Sequence, residues 1–140
     1  MEATREPLEV FLTSVNAHDT LALNGSLAPD FVFEEVAGPG APSRDALSAE
    51  LGVLYAAFPD LHFRIVRISE EEGRRFLEFR AIGTHEGEFL GVAPTKAFTI
   101  ASGVFNLEAD EEFIHRLRLT LDFGGLRRQL LIARQGEATG

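Results

Sequence analysis

At Pro59-Asp60 the apolar pattern of this chain changes period, and no other feature constrains its fold as much. Before that point apolar residues recur at helical spacing: Leu8, Phe11, Leu12 and Val15 in one segment, Leu47, Leu51, Leu54, Tyr55 and Phe58 in another. After it, Leu61-His62-Phe63-Arg64-Ile65 alternates, as do the stretches 75–84, 97–107 and 113–121. Helices first and a run of mostly antiparallel strands afterwards predict an α+β domain and not a parallel βαβ layout. The twelve phenylalanines predict helices packed over a curved sheet around one apolar pocket.

The punctuation agrees. Pro7 suits a first helical turn, where its missing N–H costs nothing. Asp19 and Thr20 can cap a second short helix, which frays at Asn24-Gly25 and Pro29. A short strand is expected over 31–36, a loop over Gly38-Pro39-Gly40-Ala41-Pro42, and an N-cap at Ser43. Glu70-Glu71-Glu72 before Gly73 reads as a solvated hairpin tip, because like charges in series seek water. A loop rich in glycine and proline covers 85–95, the last two strands join near Ala109-Asp110, and 126–131 reads as a short closing helix.

Composition narrows the chemistry. A chain of 140 residues fits one domain, 1–140, and can bury a core without a staple. It has no cysteine, which removes thiol catalysis and zinc-thiolate sites. The formal net charge of −9 and the lack of a basic face argue against nucleic acid as a partner. Lys96 is the only lysine and lies in a loop, a poor setting for Schiff-base chemistry. Neither a leader-like apolar stretch nor a run of about 18 apolar residues occurs, so a cytoplasmic protein with no membrane partner is expected. His18, His62 and His115 lack the spacing a metal needs, and no nucleotide or nucleophile motif occurs; no cofactor and no metal are expected.

Three segments carry a resemblance. They are Asn16-Ala17-His18-Asp19, the run from Leu27-Ala28-Pro29-Asp30 to Phe33, and Ala57-Phe58-Pro59-Asp60-Leu61. With Gly83-Thr84-His85-Glu86-Gly87 through Pro94-Thr95, and the close from Asp122 to Gln129-Leu130, the chain resembles the SnoaL-like polyketide cyclases over roughly 5–131. These belong to the nuclear transport factor 2-like superfamily, which also holds the ketosteroid isomerases. The resemblance implies a cone of curved sheet capped by helices, a homodimer paired through the convex face, and cofactor-free aldol cyclisation with an Asp as acid/base. Two departures stand out. Pro94-Thr95-Lys96 lacks the glycine of the family's Pro-Thr-Gly-Lys, and Leu117 to Leu121 lacks the aromatic residue common ahead of the aspartate.

His85 and Asp122 are the candidate catalytic residues. His85 shares strand parity with Leu77, Phe79, Ala81 and Gly83, so it points to the apolar side at the strand's end. There it could polarise a carbonyl, or hold the adjoining loop by hydrogen bonds. The resemblance makes Asp122 the acid/base, yet Asp122-Phe123-Gly124-Gly125 also suits a helix N-cap, and parity sets it with Arg116, Arg118 and Thr120. Glu35 is the rival base by likeness to the ketosteroid isomerases, but Phe11 stands where those enzymes carry a tyrosine donor. Phe11, Val15, Asn16, Tyr55, Phe79 and Phe105, with Glu35, are expected to line the pocket of a small-molecule ligand. Asn16 could instead cap its helix, and Thr99, Ser102 and Asn106 could also line a pocket. Two functions stay open: a cyclase or isomerase acting on a small apolar carbonyl compound, and a non-catalytic binding or dimerisation domain.

Overall fold

The computed structural model describes residues 6–34 and 44–139. Among them are the helices α1 (Pro7–Ala17), α2 (Thr20–Gly25), α3 (Arg44–Ala57) and α4 (Phe123–Thr139). The strands are β1 (Leu27–Glu34), β2 (His62–Glu71), β3 (Arg74–Thr84), β4 (Phe98–Ala109) and β5 (Ile114–Leu121). Glu35, Ser43 and the 38–42 loop lie outside the described residues.

The strands form one curved, open, five-stranded sheet in the order β1-β5-β4-β3-β2. Every pairing is antiparallel except β1 with β5. The α+β architecture expected from the change of period is therefore the one formed. Its early strand starts at Leu27, ahead of the expected Phe31, because Ser26 closes α2 on the Leu23 carbonyl and accepts the Ile114 N–H with its own carbonyl. Pro29 falls in β1 where the register shifts between Leu27 and Val32, a place where a missing N–H breaks no ladder. At the other end, α4 runs to Thr139, well past the expected 131. Its continuation, Ala133-Arg134-Gln135-Gly136-Glu137, has no apolar period to betray it.

Packing explains why the elements hold. Leu47, Leu51, Leu54 and Ala57 put one face of α3 onto the sheet, and Phe11 and Val15 do the same for α1. Phe11, Phe63, Phe79 and Phe105 meet as a cluster with ring centroids 4.6–5.2 Å apart. Gly103 makes room for it, since a Cβ there would lie 2.4 Å from the Phe79 ring. Two side-chain amides satisfy strand backbone left without a neighbour. Asn16 exchanges two hydrogen bonds with Phe63 on β2, at 2.7 and 3.1 Å. Gln129 of α4 does the same for Ile100 on β4, at 2.8 and 3.2 Å, beyond the point where β5 ends.

Candidate functional site

Where the register sets Ala81 opposite Ala101 and Gly83 opposite Thr99, the sheet carries only small side chains on its buried face. The space above them is not filled. Leu54 of α3, Phe58 just after it, Leu61, Leu121 of β5 and Leu126 of α4 complete the wall of an apolar cavity. It holds about 270 Å³ of space not occupied by atoms, its mouth included, yet its interior has room for little more than one water. Among the described residues that line it, Thr99 brings the only polar side chain, and its hydroxyl donates to the Gly83 carbonyl at 3.0 Å.

His85 lies one step beyond Gly83 on the same buried face and is fully enclosed. Its ring packs on Phe58, a cavity wall, with centroids 5.6 Å apart. The loop after β3 folds back around it: His85 N–H donates to Ala97, and Lys96 N–H donates to the His85 carbonyl. The Thr95 N–H donates to Nδ1 at 3.1 Å, and the Thr95 hydroxyl lies 3.0 Å from the same nitrogen. An N–H aimed at Nδ1 makes that nitrogen the acceptor, so the neutral ring carries its proton on Nε2. Lys96 adopts φ 64°, the left-handed region, at the place where the family pattern supplies a glycine. Farther along the loop, Phe89 and Val92 exchange backbone hydrogen bonds around Leu90 and Gly91, both at positive φ. Phe89 then wedges between Phe58 and Phe123, while Arg127 of α4 donates to the Leu90 carbonyl.

Asp122 does not join His85 in this cavity. It is exposed, accepts the Gly125 N–H at 2.9 Å and so caps α4, while its own N–H donates to Ser102. The neighbours Leu121 and Leu126 are what the β5–α4 junction contributes to the wall.

The other expected lining residues hold the fold. Phe11, Val15, Phe79 and Phe105 are fully buried, and the three phenylalanine rings pack on one another in the aromatic core. Asn16 neither caps α1 nor faces the cavity, being spent on Phe63. The Tyr55 hydroxyl donates to the Val15 carbonyl at 2.8 Å, and burial pushes its ionisation up to about 12. His18, in left-handed conformation at the end of α1, stacks on the Tyr55 ring at 3.9 Å and bonds the Leu61 carbonyl. Of the three polar residues singled out on β4, Thr99 lines the cavity; Ser102 is exposed and Asn106 half-buried. The cavity itself had a sequence signal, the matched pairs Ala81/Gly83 and Thr99/Ala101 at one parity, which large apolar residues elsewhere overshadow.

Two carboxylates near strand ends also have structural partners. Asp60 accepts from the Thr84 N–H and hydroxyl, and these bonds hold its carboxyl below the usual range. Burial would raise Glu34, but the Arg116 hydrogen bond and the charges of Arg74, Arg116 and Arg118 outweigh it and lower the group. Among the described residues no cluster of three or more His, Asp or Glu is arranged to hold a metal, and no helix is long and apolar enough to cross a membrane.

The overall shape recurs in solved structures. AclR of Streptomyces galilaeus, a proposed hydroxylase, aligns over 94% of this chain and 79% of its own, with 24% identity and a TM-score of 0.75. IdmH of Streptomyces antibioticus, assigned as a polyketide cyclase candidate, aligns over 89% of this chain and 95% of its own, with 24% identity and a TM-score of 0.76. A SnoaL-like protein of Jannaschia reaches a TM-score of 0.77 at 15% identity, over 92% of this chain and 97% of its own. At such identities the likeness establishes the fold alone. A comparison with curated protein sequences gives no match. The family assignment rests on the sequence profile of the SnoaL-like polyketide cyclases, which matches residues 6–130. With nearly the whole chain matched and the fold in agreement, this protein is a member of the SnoaL-like polyketide cyclase family.

Proposed function

We propose that the cavity over Ala81, Gly83, Thr99 and Ala101 receives a small apolar carbonyl compound and that His85 moves the proton in a cofactor-free cyclisation or isomerisation. The observation that carries this reading is the setting of His85: fully buried, against the cavity wall at Phe58, with Nδ1 held by the Thr95 N–H. A ring fixed in that tautomer presents an Nε2–H that can donate to a carbonyl oxygen as an enolate forms. Low dielectric around the site strengthens such a bond. The carbon-bound proton passes to solvent water at the cavity mouth, since the Asp122 carboxylate serves α4. That same fact favours a second reading, in which the domain binds its ligand without turning it over.

Enolisation can be followed without the natural substrate. 2-Indanone has acidic methylenes next to a carbonyl but exceeds the room inside the cavity, so the walls must part to admit it; its exchange of hydrogen for deuterium, read by NMR, then reports acid/base action. The protein should accelerate exchange, His85→Gln should lower the acceleration at least tenfold, and Asp122→Asn should retain it. Unchanged exchange in His85→Gln contradicts the role of His85. Binding without any acceleration in the unaltered protein supports the non-catalytic reading.

A further inference from the structure

The polar chemistry of the cavity is narrower than its apolar walls suggest. Thr99 is 3% exposed, and among the described lining residues only its side chain has a polar atom. The direction of its hydrogen bond is fixed, because the Gly83 carbonyl can only accept and the Thr99 hydroxyl must donate its proton there. Beyond that bond Oγ1 therefore offers lone pairs and no hydrogen. A ligand carbonyl placed against it would set two acceptors face to face, whereas a hydroxyl would complete its bond. On the neighbouring strand Gly83 has no Cβ, and one there would sit 3.0 Å from Phe58 Cβ, so glycine at 83 lets this cavity wall pack close to the strand.

We infer that Thr99 is a specificity-determining residue that selects a ligand hydroxyl, so that the compound held here is an apolar molecule carrying a hydroxyl in addition to the carbonyl that His85 serves. The inference rests on the proposed ligand role of the cavity and adds the polarity of one subsite. A hydroxylated carbonyl compound is also what an aldol closure produces, its new C–OH taking the proton that the carbon acid gave up. Thr99 would then hold a substrate or product hydroxyl while His85 holds the carbonyl oxygen.

The test uses a matched set on one skeleton: indane, 2-indanol and 2-indanone, with affinities from NMR titration. The unaltered protein should bind 2-indanol about three- to tenfold more tightly than indane, the worth of one net hydrogen bond. Thr99→Val, equal in shape, should erase that gain and leave 2-indanone within about twofold, while Thr99→Ser should keep it. A loss of affinity for all three ligands in Thr99→Val points to misfolding, and Thr99→Ser then decides: the inference stands if it retains the preference and falls if it does not. Equal binding of indane and 2-indanol to the unaltered protein overturns the specificity role alone. Failure of all three to bind it overturns the ligand role of the cavity and this inference with it.

Discussion

Tyr55 shows how a residue of suitable type and position can still serve the fold. Its ring lies on the helical face that the spacing Leu47, Leu51, Leu54, Tyr55 and Phe58 predicts, and nothing in that pattern says where the hydroxyl will point. Its partner, the Val15 carbonyl, is 40 residues away in sequence. Because Tyr55 is the sole tyrosine and tryptophan is absent, tyrosinate absorbance reports on it alone. Burial favours the neutral phenol, so the midpoint should lie near 12, above the ordinary 10.0. The linkage follows in sign: a folded value raised above the unfolded one gives stability that is complete below about 10 and lost as the pH climbs toward about 12. Alkaline melting should show that loss in the unaltered protein and not in Tyr55→Phe. A tyrosinate midpoint near 10 in the folded protein contradicts the burial of this hydroxyl. His85 was more legible, since parity alone places it on the buried face with Gly83; its bond to Thr95 depends on a loop closure that no local pattern encodes.

Helix α4 carries the clearest conflict between local propensity and tertiary role. Two glycines follow Asp122, and in most helices replacing one by alanine gains up to about 1 kcal/mol. At Gly125 the sign should reverse. A Cβ there would fall 2.3 Å from Asp122 Oδ2, so the cap has to give way, at a cost of about 1 kcal/mol. Thermal denaturation of Gly125→Ala should show a lower midpoint, and of Asp122→Ala a similar drop; a stabilised Gly125→Ala contradicts the cap as described. The capping reading of Asp122 was available from the run Asp122-Phe123-Gly124-Gly125, and strand parity pointed the same way. The length of α4 was not legible, because the sequence of its last turns holds no apolar period to detect. In the strands the order of helix and sheet was readable from period alone, while the parallel placement of β1 beside β5 was not, since it joins residues 82 apart such as Glu34 and Arg116.

At the scale of the whole molecule the sheet has two unequal faces. One is covered by the helices. On strand positions of the other parity, Phe98 is 64% and Ile100 47% exposed, with half-buried Ile82 and Val104 beside them. An apolar surface of this kind is what a homodimer paired through the outer face of the sheet needs. Sedimentation at micromolar concentration should give twice the 15.4 kDa of one chain, and Ile100→Glu should shift it to the single-chain mass. A single-chain mass for the unaltered protein removes the dimer.

The central claim is that ligand enters above the small residues of β3 and β4, away from the aromatic core. Expectation from sequence placed the pocket among Phe11, Val15, Tyr55, Phe79 and Phe105, the bulkiest group available. Bulk is what fills that space, and the hollow forms where side chains are small. A crystal structure of the protein grown with 2-indanone tests this most directly. The account predicts ligand density bounded by Leu54, Phe58, Ala81, Thr99 and Leu126, with the ketone oxygen within about 3.2 Å of His85 Nε2. Density lodged instead among Phe11, Phe79 and Phe105, or a ketone turned away from His85, contradicts it.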